Sequence, residues 1–141
     1  MRLSLMYRLI LVCSLLFPVM AQAELSISGA WIRDLPPTVP MRAGYLEIHN
    51  PESNPVTIVD VISEAFARVE IHESIEQNGS MRMQRVPRLT IAAGASVELA
   101  PGGLHLMMMQ PASPLKPGAI VEITLKLDDG REQTLKLIVR K

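Results

Sequence analysis

From Leu25 onward the chain runs in short stretches where apolar and polar residues alternate, and turn-forming residues separate them. A period of two puts successive side chains on opposite faces of an extended strand, so this pattern predicts β-structure. The stretches are Leu25–Trp31, Ala43–His49, Val56–Ile62, Ala67–Ile75, Met81–Val86, Ser96–Ala100, Leu104–Gln110, Ile120–Leu127 and Glu132–Val139. Between them lie Pro36-Pro37, Asn50-Pro51, Asn78-Gly79, Pro101-Gly102-Gly103, Pro114 to Gly118 and Asp129-Gly130. Asn-Gly and Asp-Gly are strong hairpin signals, because both central positions of a type I′ turn take positive φ. Ser63 to Glu70 carries helix-forming residues, but it is short and flanked by β-rich sequence, and it reads as a turn between strands. Many short strands without a long helix predict an all-β fold, an antiparallel β-sandwich.

The N-terminus follows a different pattern. Arg2 and Arg8 precede an apolar run, Leu9 to Met20, which ends at Ala21-Gln22-Ala23. That order of features is the mark of a secretory signal peptide over residues 1–23. The run is too short to span a bilayer, and no later stretch approaches the length of a membrane helix. The expected product is one domain, residues 24–141, with no stable membrane insertion after cleavage. Cys13 follows Val12, where lipid-attachment signals want a small residue, and is expected to leave with the signal. Removing Arg2 and Arg8 leaves 12 Lys and Arg against 14 Asp and Glu, a net charge of −2. Such a surface has no basic footprint for nucleic acid.

Without Cys13 the chain has no thiol, so a soft-metal site must use imidazoles and thioethers. Met81 and Met83 share one strand and Met107, Met108 and Met109 another, while Met41 stands alone. His105 lies two residues before Met107, and His72 precedes the Asn78-Gly79 turn that folds Met81–Val86 back onto its strand. The period of two places His105, Met107 and Met109 on one face and Leu104, Leu106 and Met108 on the other. His72 shares a face with Glu70, opposite Val69 and Ile71, and Met81 and Met83 share a face opposite Arg82. Three strands thus offer imidazole and thioether groups to one point. A soft closed-shell ion such as Cu(I) favours this set, whereas calcium and magnesium need oxygen ligands and zinc takes thiolate, imidazole or carboxylate, so thioethers point to neither. Met41 and Met108 read as packing residues, His49 as a surface histidine and Trp31 as a core or strand-edge aromatic. Met81 and Met109 face the right way but could merely line the site.

The spacing His72, ten residues, Met83, twenty-one residues, His105, one residue, Met107 resembles the signature of the periplasmic copper chaperones of the PCu(A)C (PCuAC) family. Ala30-Trp31-Ile32-Arg33 before Pro36-Pro37, Ala43-Gly44-Tyr45-Leu46, and Pro101-Gly102-Gly103-Leu104-His105-Leu106-Met107 are similar as well. The resemblance implies a cupredoxin-like Greek-key β-sandwich in the periplasm and no enzymatic activity. It implies one Cu(I) ion held by His72, Met83, His105 and Met107. The implied partners are copper donor and acceptor proteins, with delivery to the CuA centre of cytochrome c oxidase through its subunit II or assembly factors. The chain ends at Arg140-Lys141 without the His- and Met-rich tail of some relatives, which argues against a second copper site. The alternatives are periplasmic copper storage or resistance and a metal-free β-sandwich interaction module. A blue-copper carrier needs a cysteine ligand that the exported chain lacks, and a copper enzyme would want more histidines.

Overall fold

The computed structural model describes residues 23–141. The signal peptide expected over 1–23, with Cys13, lies outside the described residues but for Ala23. Ten strands follow one another: β1 (Ser26–Arg33), β2 (Met41–His49), β3 (Val56–Ile62), β4 (Phe66–Gln77), β5 (Ser80–Arg85), β6 (Leu89–Ile91), β7 (Ser96–Leu99), β8 (Leu104–Pro111), β9 (Ile120–Leu127) and β10 (Glu132–Arg140). Their order is β5-β4-β8-β2-β1-β10-β9-β3-β6, with β7 on the second half of β2. A further pairing of Val61 with Val69 joins β3 to β4 and closes the sheet on itself. The fold is the expected cupredoxin-like β-sandwich, its two layers wrapped into a barrel. One pairing departs from the antiparallel expectation, since Trp31–Arg33 of β1 run parallel to Ile138–Arg140 of β10.

Turn chemistry explains the hairpins, though not uniformly. Asn78 (φ 53°) and Gly79 (φ 76°) both have positive φ, as a two-residue type I′ turn demands. At Asp129-Gly130 only Gly130 (φ 88°) does. There Gly130 N–H donates to Leu127 O and Leu127 N–H to Arg131 O, so the turn is longer and glycine supplies its left-handed residue alone. Residues 63–65 form the expected turn, and the strand already begins at Phe66, whose side chain is buried. β6 has no counterpart in the sequence reading. It is three residues long, too short for a period to show, and is held to β3 by its backbone and by the Thr57–Thr90 hydroxyl contact of 2.8 Å.

The barrel interior is filled by one face of most strands, whereas all six residues of the edge strand β5 are exposed. Val69 and Ile71 of β4, Leu106 and Met108 of β8, Ile32 of β1, and Leu137 and Val139 of β10 are all buried. Each such side chain contributes about 1.5–3 kcal/mol relative to leaving it in water. Arg42 is buried beside them, a residue the alternation alone gave no reason to single out. Its guanidinium ties the connection between β1 and β2 to the start of β2 by donating to the carbonyls of Val39 (2.6 Å), Met41 (2.9 Å) and Leu35 (3.1 Å). β2 and β8 approach so closely at Gly44 that a Cβ there would lie 3.2 Å from Met108 Sδ and 3.3 Å from Leu106 Cβ. Gly44→Val is therefore expected to destabilise the fold by about 1–3 kcal/mol through overpacking, read from urea denaturation.

Candidate metal centre

The face that turns away from this core carries the histidines. β4 pairs with β8 so that His72 stands directly opposite His105 and Glu70 opposite Met107. On its other side β4 pairs with β5, placing Ser74 opposite Met83 and His72 opposite Arg85. His105 is thus the cross-strand neighbour of His72, and Met83 on β5 and Met107 on β8 stand diagonal to His72 on opposite sides of it, each within reach of a long side chain. The imidazole centroids are 6.1 Å apart with the ring planes 40° from parallel. The four residues singled out by sequence are gathered around His72 on three adjacent strands.

Burial within the group is uneven. His105 is buried and the His72 side chain nearly so, Met107 is half-buried, and Met83 is 62% exposed on the edge strand β5. Met81, 64% exposed, pairs with Glu76, four residues along β4 from His72 and so about 13 Å away at strand spacing. Met109 lies opposite Arg68, whose Nη2 donates to its sulfur at 3.4 Å. Met108 is fully buried, as expected of a packing residue, but Met41 is 42% exposed and pairs with Met109 on the outer face. Met41 is the first residue of β2 and alternates with the inward-facing Arg42 and Gly44, which puts it on the outward side of the strand. His49 is half-buried and contacts Ser96 Oγ through Nδ1 at 3.0 Å, away from the methionines. Trp31 lies against Tyr45 (centroids 4.8 Å) with the Arg140 guanidinium 4.6 Å above its ring, a strand-face cation–π contact.

One participant was noticed in the sequence only as a face-sharing neighbour. Glu70 Oε2 is 2.8 Å from His72 Nε2, while Oε1 lies 3.4 Å from Arg68 Nε and 3.6 Å from Arg85 Nε. The hydrogen bond to His72 holds the Glu70 carboxyl below the usual carboxylate range; partial burial opposes this, and the Arg68, Arg85 and His72 charges add to it. The signal was available as Glu-x-His on an alternating strand, which sets a carboxylate beside an imidazole. His72 Nδ1 is buried and has no hydrogen-bond partner. A buried polar atom left so costs about 1–3 kcal/mol, which a bound ligand would relieve. Among the described residues no group of three or more His, Cys, Asp or Glu is placed to hold a metal.

A closed cupredoxin-like barrel bearing a histidine–methionine face defines the class: PCuAC-type domains. The model of the LpqE-like family matches residues 25–139, and the chain belongs to that family, which is the PCuAC family. It is 29% identical over 135 residues, covering 91% of this chain and 80% of the relative, to the "Putative lipoprotein Lxx21020" of Leifsonia xyli subsp. xyli. Among solved structures, CuI-DR1885 from Deinococcus radiodurans is 30% identical with a TM-score of 0.70, covering 86% of this chain and 82% of that one. The copper-bound PCuAC domain from PmoF2 shares the fold at a TM-score of 0.70 and 22% identity, covering 85% of this chain and 95% of that one.

Proposed function

We propose that this protein is a copper chaperone of the periplasm, a carrier and not an enzyme. In this reading it holds one Cu(I) ion with His72, Met83, His105 and Met107 and passes it toward the CuA centre of cytochrome c oxidase, through subunit II or its assembly factors. The observation that carries the reading is the placement of two imidazoles directly opposite one another, with one thioether diagonal to His72 on each of the two flanking strands. These are soft, uncharged donors, and Cu(I) accepts them without a geometric penalty. The copper named in the two related structures supports the same assignment.

Export is proposed on two grounds: the signal-like residues 1–23, which would leave 24–141 as the working domain, and the lipoprotein description carried by a relative. Thioethers form no disulfides, so the donor set suits an oxidising compartment. Delivery is favoured over storage by Met83, which offers a ligand from an exposed edge strand where an acceptor can approach and exchange donors stepwise. The test is an anaerobic titration with Cu(I) in competition with a colorimetric Cu(I) chelator. The expected result is one equivalent withheld from the chelator. A folded protein that withholds none would overturn the reading in favour of a metal-free interaction module.

A further inference from the structure

The two imidazoles do not offer the same nitrogen. A carboxylate oxygen only accepts, so the 2.8 Å contact with Glu70 Oε2 places the His72 proton on Nε2 and leaves the lone pair on the buried, unpartnered Nδ1. In His105 the order is reversed. Its Nδ1 lies 3.0 Å from the Gly103 carbonyl, which also only accepts, so Nε2 carries the lone pair.

We infer that Glu70 is a positioning residue for the copper site: it locks His72 in the Nε2–H tautomer, so that His72 binds Cu(I) through Nδ1 while His105 binds it through Nε2. The inference rests on the copper reading above. Its physical basis is that a ligating histidine is oriented, and made more basic, by the acceptor on its other nitrogen. Glu70 is itself held, because Oε2 is taken by His72 and Oε1 faces Arg68 on its own strand and Arg85 on β5. Both oxygens are thereby engaged on the ring and the guanidinium groups. A hard donor sits next to the site yet is turned to the imidazole, which leaves the soft donors to select the ion.

Long-range ¹H–¹⁵N spectra of the histidine rings, without copper and with one equivalent of Cu(I), test this on the parent, Glu70→Gln and Glu70→Ala. In the copper-free parent, His72 is expected as the Nε2–H form and His105 as the Nδ1–H form. Cu(I) is expected to shift Nδ1 of His72 and Nε2 of His105. Glu70→Ala should mix the His72 tautomers, leave those of His105 intact as a check on folding, and weaken Cu(I) binding by about 10–100-fold. Glu70→Gln keeps an accepting oxygen and should restore the tautomer and most of the affinity. A copper shift at His72 Nε2, parent-like affinity in Glu70→Ala, or Glu70→Gln behaving like Glu70→Ala would each overturn the inference alone. Failure of the parent to take up Cu(I) would instead remove the copper reading beneath it.

Discussion

Met108→Ala is expected to cost about 2–5 kcal/mol of folding stability, the range for truncating a buried methionine. Met108 is fully buried, and its sulfur fills the space left by the missing side chain of Gly44. It pairs with Val69 on β4 and Arg42 on β2, so three strands meet around it and none can collapse inward without breaking its ladder. Urea denaturation should show a lower midpoint with an unchanged slope. Met107→Ala, one residue earlier but on the opposite face, should alter stability far less. A loss below about 1 kcal/mol for Met108→Ala would mean that the β2–β8 contact is looser than the 3.2 Å approach at Gly44 requires.

That contrast between adjacent methionines was legible in the sequence, because a period of two fixes which of three consecutive side chains faces the core. The same logic located nine of the ten strands, with Val56–Ile62 and Ile120–Leu127 ending where the alternation ends. It did not reveal β6, nor the parallel run of β1 along β10, since strand pairing across more than a hundred residues depends on how the whole sheet closes. Gly29 (φ 58°) gave no warning either, yet it marks the register shift between Ser28 and Trp31 where β1 leaves the regular ladder of β2.

The placement of the candidate donors was legible for a different reason. The Asn78-Gly79 turn fixes the register of β4 against β5, and one fixed register determines that Met83, rather than Met81, is diagonal to His72. The β4–β8 register that sets His72 against His105 has no such local cause. These strands are joined by a long excursion through β5, β6 and β7, so their alignment comes from burying Val69 and Ile71 beside Leu106 and Met108. The role of Glu70 required coordinates, because alternation places a carboxylate near an imidazole but does not say which nitrogen it reaches.

Single replacements of His105 by Ala, or of Met83 or Met107 by Leu, are each expected to weaken Cu(I) binding by more than about 100-fold, beyond the range typical of a supporting partner. Met81→Leu and Met109→Leu should leave it at the parent value. Met81 and Met83 make the sharpest comparison: same strand, same face, nearly equal exposure, differing only by two residues of register. Exposure alone makes both sulfurs open to peroxide, and conversion to the sulfoxide removes a soft donor. In the copper-free protein both should therefore oxidise at similar rates. With Ag(I) bound as a soft stand-in for Cu(I) that peroxide does not cycle, Met83 should be protected while Met81 continues to react, a difference that peptide mass spectrometry reads directly. Equal protection of the two, or none for either, would show that Met83 is not a ligand and that the fourth donor must be sought elsewhere on the face.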